Sequence, residues 1–210
     1  MVRCNNDHVS GDNGWVKLTE SNPGHSQWYI DRFRALADGG SDLAGEARLV
    51  DAMLPRGSRV LDAGSGTGRV GGHLAAAGHQ VVGVDLDPLL VESARQDHPG
   101  PQWLVGDLAE LDLPARGIAE GFDAIVCAGN VMTFVAPATR REILRRMRAH
   151  LRDGGRVVIG FGAGRGYEFA DFLADARAGG LAPDLLLSTW DLRPFGDDAD
   201  FLVAVLSPTA

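Results

Sequence analysis

Residues 60–69 read Val60-Leu61-Asp62-Ala63-Gly64-Ser65-Gly66-Thr67-Gly68-Arg69, and this stretch changes character twice along its length. Arg59–Asp62 has the composition of a buried strand, alternate glycines then form a turn, and Arg69–Ala77 has the apolar spacing of a helix closed by Gly78. The same alternation continues outward. Gln80–Val84 reads as a second strand, and Asp87-Pro88 as the N-cap and first residue of a helix that ends before Pro99. Trp103–Val105 and Phe122–Cys127 are the third and fourth strands. Ala138–Leu151 is helical, with Ile143, Leu144, Met147 and Leu151 on one face, and Asp153-Gly154-Gly155 stops it before a fifth strand at Arg156–Phe161. Glu168–Arg177 is a further helix that turns Phe169, Phe172 and Leu173 inward. Leu185–Phe195 and Phe201–Leu206 are strand-like and joined by a turn at Gly196–Asp200, too short for a parallel crossover, so this last pair is antiparallel. Strands alternating with helices predict an α/β fold, a doubly wound and mostly parallel seven-stranded sheet ending in an antiparallel hairpin.

Upstream of the sheet, residues 1–22 lack a sustained period and are expected to form a loose arm. His25–Ala37 has the spacing of a short amphipathic helix with Trp28, Ile30, Phe33 and Leu36 apolar, broken by Gly39-Gly40. Ser41–Met53 is a second helix, closed by Pro55-Arg56-Gly57. The expected division is an arm and helical lid over 1–54 and a ligand-binding domain over 55–210.

The chain of 210 residues is 45% hydrophobic and 23% charged, an ordinary globular composition, with a formal net charge of -8. That charge argues against a nucleic-acid partner, which favours a basic surface. Cys4 and Cys127 are far apart and form neither a disulfide framework nor a zinc motif. No His/Asp/Glu cluster has convincing metal spacing, and Asp197-Asp198-x-Asp200 reads as a turn. No apolar stretch approaches the ~20 residues of a membrane span, so no membrane partner and a cytoplasmic setting are expected. The arginine-dominated basic residues and the abundance of Ala and Gly hint at a bacterial gene. Arg140, Arg141, Arg145, Arg146, Arg148 and Arg152 form a basic helix, read as a solvated outer face rather than a dock for an acidic partner.

In a parallel sheet the first strand-to-helix turn faces the crevice where ligands bind, and its glycines let a ligand lie against bare main chain. Asp85, about twenty residues further on, suits both hydroxyls of a ribose. Gly66-Thr67-Gly68-Arg69-Val70-Gly71 also satisfies the dinucleotide string G-x-G-x-x-G, so an NAD-linked oxidoreductase is a genuine rival. Against it, Asp62 stands at the strand end two residues before Gly64. A carboxylate there would repel a pyrophosphate, yet it suits the ammonium and sulfonium of S-adenosylmethionine (SAM), which carries no phosphate.

Asp62-x-Gly64-x-Gly66-x-Gly68, together with Asp85 and the pair Gly106-Asp107, resembles the class I SAM-dependent methyltransferase superfamily. The likeness runs from Val60 to Leu206. The segments His25-Ser26-x-x-Tyr29, Gly45-Glu46-Ala47-Arg48-Leu49, Ala128-Gly129-Asn130-Val131-Met132, Gly160–Gly166 and Trp190-Asp191-Leu192 are similar to those of a group of small bacterial methyltransferases. The resemblance implies a Rossmann-like fold and SAM as cofactor. It further implies that Gly64, Ser65, Gly66 and Gly68 line the methionine moiety and that Asp62 holds its amino group. Asp85 would take the ribose, Leu86 the adenine face, Asp107 and the Leu108 amide the adenine edge, and Ala128 a place beside the reactive methyl. For Asp107 a plain capping role competes with that assignment.

Methyl transfer is an in-line displacement that draws on alignment, and no general base is obligatory unless the acceptor must lose a proton. Candidate acceptor-pocket residues are Asn130 after the fourth strand, Arg165 and Tyr167 after the fifth, and His25 and Tyr29 on the N-terminal lid. Each has a structural alternative: a turn residue for Asn130, an ion pair for Arg165, a helix-start histidine for His25, core packing for Tyr29. Trp190 reads as a packing residue of the hairpin. The sequence Ala-Gly-Asn-Val after the fourth strand lacks the Asn/Asp-Pro-Pro-aromatic motif of DNA amino-methyltransferases, so a small-molecule acceptor is expected. A non-enzymatic SAM-binding module is the remaining alternative. Acceptor identity and oligomeric state are not legible at this level.

Overall fold

The computed structural model describes residues 12–209 of the chain. Three helices precede the sheet: α1 (Gly14–Ser21), α2 (His25–Asp38) and α3 (Gly45–Ala52). The alternating core follows as β1 (Arg59–Ala63), α4 (Arg69–Ala76), β2 (Gln80–Asp85), α5 (Pro88–Asp97), β3 (Gln102–Val105), β4 (Phe122–Cys127), a single-turn α6 (Val131–Phe134), α7 (Arg140–Ala149), β5 (Leu151–Gly162), α8 (Phe169–Ala178), β6 (Leu181–Leu187) and β7 (Phe201–Pro208). The seven strands lie in the order β3-β2-β1-β4-β5-β7-β6. All pairings are parallel except those of β7, which runs antiparallel to both β5 and β6. Strand order reverses between β1 and β4, the switch point at whose carboxyl edge ligands of open α/β sheets bind.

Burial follows from this layering. Central strands lie between helices on both faces, so β1 reads Val-Leu-Asp-Ala with every position buried, and the inward carboxylate of Asp62 is the exception to its apolar run. One face packs Leu61, Ile125, Ile159 and Phe161 against the apolar stripe of α7 (Ile143, Leu144, Met147) and against Phe172 of α8. The opposite face packs Val60, Val126, Val158 and Val203 against α3 and α4. A third small cluster sets Trp103 of β3 beneath Val91 and Ala94 of α5. Glycines make that seat: a Cβ on Gly83 would meet the Trp103 ring at 2.2 Å, and one on Gly71 at 2.8 Å.

Several sequence expectations are corrected here. Residues 1–11, part of the expected arm, lie outside the described residues, but Gly14–Ser21 is a helix rather than arm. Asn13 caps it, accepting from the Trp15 and Val16 amides, and Trp15 makes edge contacts with His25, Tyr29 and Phe134 that local periodicity could not reveal. The helix expected from Ser41 starts at Gly45, because Asp42 instead accepts from the Ala44 amide and pairs with Arg48. Trp28 faces outward, 52% exposed, rather than joining the buried stripe. The fifth strand starts at Leu151, with Gly154 at φ 74 and a register shift in the β4 pairing taking up the Asp-Gly-Gly bend. In the tail, the first hairpin strand is Leu181–Leu187, ending where Leu185–Phe195 was expected to be under way. Gly180 at φ 80 turns the chain directly into β6, and beyond Leu187 the chain loops out, placing the Trp190 ring over Gly160, and touches β6 again through the bridge of Pro194 to Leu187 and the Phe195 amide on the Leu186 carbonyl.

Of the six arginines expected on one basic helix, Arg140 to Arg148 lie on α7, while Arg152 falls on β5 and pairs with Asp123. Arg141 pairs with Asp175, Arg145 and Arg146 with Glu142, while Arg140 stacks 3.8 Å over Tyr167 and donates to the Gly166 carbonyl.

Candidate active site

At the carboxyl edge of β1, β2, β3 and β4, closed from above by α1 and α2, lies a cavity of about 360 Å³. Its size falls in the range of small-molecule sites. A larger groove of about 890 Å³ runs along the opposite, amino-end edge near His79, His98 and Gln102, and contains none of the glycine-loop residues.

The glycine loop forms the cavity floor. Gly64, Gly66 and Gly68 all have positive φ, +79, +54 and +77. They are not equivalent. A Cβ on Gly66 would meet only the Tyr29 ring, at 3.8 Å, so this residue presents open main chain to the cavity. A Cβ on Gly64 would strike Val131 at 2.4 Å, which makes Gly64 the seat of α6. Gly68 is turned from the cavity, 2.9 Å from Ala94 and the Trp103 ring by the same measure. The expected ligand contact of Gly68 is therefore corrected to a packing role. With Gly71 also against Trp103, two of the three glycines of the dinucleotide-like string serve the core instead of a phosphate.

Two carboxylates flank the loop. Asp62 is 2% exposed and accepts from the Gly71 amide at 2.8 Å, and burial raises its pKa to about 7. Asp85 at the end of β2 accepts from Gly66 N at 2.7 Å and Asp87 N at 2.9 Å. Burial raises it to about 6 against the opposing pull of those amides. A carboxyl raised in this way has a poorly stabilised ionised form in the unliganded site, and a ligand that brings positive charge or hydroxyl donors favours that form. Asp107 caps the turn Leu108–Glu110 through one oxygen, on Ala109 N at 2.8 Å, and still lines the cavity with Leu86, Leu108 and Ala128. Ser65 Oγ is buried and without a hydrogen-bond partner beside the same floor.

The acceptor-pocket candidates divide. Tyr29 lines the cavity as expected of a lid residue and faces Gly66 from above, and burial raises its pKa against the pull of Arg69. His25 stands in the lining between the Trp15 and Trp28 rings. Asn130 adopts a left-handed conformation (φ 67) after Gly129, and its Oδ1 accepts from Gly162 N at 2.8 Å, tying the β4 loop to the end of β5. It also lines the cavity, as does Arg165. Tyr167 does not. It is 2% exposed, stacked on Phe161, edge-on to Phe172 and hydrogen-bonded to Asp175, so its expected pocket role is withdrawn. The residue followed the fifth strand as required, but the turn through Gly164 and Gly166 returns it to the core.

Sequence reading missed the residues that fasten the lid. Buried Asp87, expected only as a helix cap, accepts from Leu89 N through Oδ1 and from Trp15 Nε1 at 2.9 Å through Oδ2, which also receives the Ser26 hydroxyl. Arg69 forms a two-pronged pair with Glu46 (2.5 and 2.8 Å) and lies 5.5 Å over the Phe33 ring, so α4, α3 and α2 meet at the loop. Trp15, Trp28, Arg32, Val131 and Phe134 complete the wall. Only Asp87 carried a sequence signal, its proline-following cap position. The aromatic contacts are long-range.

The floor thus fits a cationic, phosphate-free nucleoside. Gly66 leaves room, Ser65 Oγ lacks a partner, Asp62 and Asp85 accept backbone amides but form no ion pair among the described residues, and Arg69 beside the loop is neutralised by Glu46. S-adenosylmethionine meets each of these conditions and supplies, when bound, a methyl group activated by its sulfonium.

Comparison with known proteins agrees. A family model described as "Methyltransferase domain" matches residues 60–155. The solved structure of a TehB-like SAM-dependent methyltransferase from Corynebacterium glutamicum is 50% identical, with a TM-score of 0.84, covering 90% of this chain and 100% of that one. A 1,6-didemethyltoxoflavin-N1-methyltransferase from Burkholderia thailandensis shares the fold at 22% identity, with a TM-score of 0.63 over 91% of this chain and 90% of that one. A demethylmenaquinone methyltransferase from Clavibacter sepedonicus is 31% identical over 131 residues, 61% of this chain and 51% of that protein. The chain spans about half the length, or less, of several curated relatives it matches. From the glycine loop, its acids and these relationships together, the chain belongs to the class I SAM-dependent methyltransferases.

Proposed function

We propose that the chain transfers the methyl group of SAM to a small-molecule acceptor. The observation that carries this reading is the pairing of an open glycine floor at Gly66 with two carboxylates that have no ion-pair partner among the described residues, buried Asp62 and half-buried Asp85, beneath an aromatic lid. In this assignment Asp62 holds the ammonium and Asp85 the ribose hydroxyls. Leu86, Asp107 and the Leu108 amide take the adenine, while Gly64, Ser65, Ala128 and Tyr29 enclose the chain that ends at sulfur. Gly68 supports the loop from behind. The acceptor end is formed by His25, Asn130 and Arg165 with Trp15, Trp28 and Phe134. Lid residues exclude water, which strengthens the electrostatics of the cavity and aligns the reactants. Alignment of the acceptor against the methyl is the contribution assigned to these side chains.

A small acceptor fits the cavity volume and the acidic net charge. No helix among the described residues is long and apolar enough to cross a membrane, and a cytoplasmic setting remains part of this proposal, resting on the low cysteine content of the sequence and on the free, buried thiol of Cys127. Calorimetric titration with S-adenosylhomocysteine and, separately, NAD tests the cofactor. Binding of the first alone is expected, and binding of NAD alone would overturn the assignment. Formation of S-adenosylhomocysteine from SAM in the presence of a metabolite extract then separates an enzyme from a SAM-binding module.

A further inference from the structure

Charge is sorted by position inside the cavity. Its carboxylates, Asp62, Asp85 and Asp107, stand at the ends of β1 and β2 and just after β3, where the cofactor is assigned. Its arginines are Arg32, Arg69 and Arg165. Arg69 is neutralised by Glu46. Arg32 and Arg165 have no ion-pair partner among the described residues, although most arginines of this acidic chain do. Arg32 lies over the rings of Trp28 and Phe33, at 5.5 and 6.0 Å, and not beside an acid. Arg165 reaches back over the end of β5, its Nε 3.3 Å from where a Cβ of Gly162 would sit. Gly162 is the residue whose amide Asn130 receives, so Arg165 stands at the acceptor end of the site.

Arg32 stands on the lid helix near Tyr29 and Arg165 at the end of β5, and the lid side of the wall is aromatic. Trp15, His25, Trp28 and Phe134 are in mutual ring contact along the lid side, and Trp28 leaves half its surface open at the rim. A half-exposed tryptophan stacked by an unpaired guanidinium, at the mouth of a small cavity, is a surface that gains by being covered. Flat rings match it, and a carboxylate matches the guanidiniums through charge-assisted bonds.

We infer that the methyl acceptor is a small organic anion with a planar, apolar body, its anionic group held at the cavity mouth by Arg32 and Arg165. The inference rests on the methyltransferase reading of the same site and names its substrate class. The uneven distribution also serves discrimination. The acidic end repels the acceptor's anion from the cofactor's place, and the basic end repels the cofactor's cationic groups from the acceptor's place, so the two ligands enter in one orientation.

The test uses the full chain saturated with S-adenosylhomocysteine, whose binding is first measured by itself. 2-Naphthoate, 2-naphthamide and 2-naphthylmethylamine, alike in shape and different in charge, are then titrated by calorimetry up to millimolar concentration. The expected result is a preference of roughly tenfold for the anion over the amide, with the amine weakest, since these guanidiniums are partly exposed. Arg32→Gln and Arg165→Gln should each reduce that preference while leaving S-adenosylhomocysteine affinity within about twofold. Equal or tighter binding of the amide or amine, binding of none of the three, or a preference that persists in both variants overturns the inference. Failure of S-adenosylhomocysteine itself to bind would instead overturn the cofactor assignment, so the two failures are read separately.

Discussion

Raising the pH should tighten cofactor binding while weakening the unliganded fold, and Asp62 is the reason for both. Its carboxyl is 2% exposed, accepts one backbone amide from Gly71, and is raised by burial to about 7 from an ordinary value of 3.8. Partnering the ligand's ammonium requires the ionised form, so affinity falls tenfold per unit once pH drops below 7. Between about pH 7.5 and 5.5 the loss is roughly 25-fold from this group alone. Asp85, raised to about 6, steepens it at the acid end. For the unliganded chain the sign reverses. Between 3.8 and about 7 the folded state keeps a proton on Asp62 that the unfolded state has released, so stability falls as pH rises through that window. The upper bound is about 4 kcal/mol, and at 2–4 °C per kcal/mol for a chain of this size the melting temperature changes by on the order of 10 °C. Asp62→Asn separates this contribution from other titrating groups. The variant should bind S-adenosylhomocysteine about 10- to 100-fold more weakly at neutral pH, through loss of a hydrogen bond between charged groups. It should also flatten the pH slope of binding and melt no lower than the parent above pH ~7. Calorimetry and thermal melts across the range provide both readouts. PH-independent affinity in the parent, or an Asn variant with the parent's slope, would refute the reasoning.

Gly66→Ala and Gly68→Ala should part company: the first adds a methyl on the ligand side and weakens S-adenosylhomocysteine binding more than about tenfold, the second strikes Ala94 and Trp103 and lowers stability by about 1–3 kcal/mol, as melts and titrations of the two will show. Trp15→Phe removes the indole N–H that Asp87 receives. Stopped-flow measurement should find S-adenosylhomocysteine leaving about 5- to 30-fold faster, on a loss of about 1–2 kcal/mol of lid docking. Tyr167→Phe deletes only the hydroxyl bonded to Asp175, so a stability loss of about 1 kcal/mol with unchanged KM for both substrates is expected, and a large KM change would return Tyr167 to the site.

Much of the fold was legible because its signals are local. The Asp87-Pro88 cap, the β4 bounds at Phe122 and Cys127, and the antiparallel final hairpin were all read correctly from short windows. Misplacements came where a distant partner decides. Beyond Leu187 the chain loops out and sets Trp190 over Gly160, more than twenty residues away in sequence. Asp62, Asp85 and Asp107 line the cavity as expected because each stands at or just beyond the carboxyl end of a strand. Tyr167 was misassigned by the same rule, since the Gly164 and Gly166 turns redirect what comes after β5.

By itself the sequence determined the alternation of strands and helices, the position of the glycine turn, and the acids that stand at the crevice edge. These depend on residue type and short-range spacing, which folding does not alter. Tertiary structure decided which glycine opens onto the cavity and which supports Trp103, that Asp87 fastens the lid, and that Arg32 and Arg165, without ion-pair partners among the described residues, line one cavity. Such relations depend on which side chains converge from far apart in the chain and on how deeply they are buried, and neither quantity exists until the layers have packed.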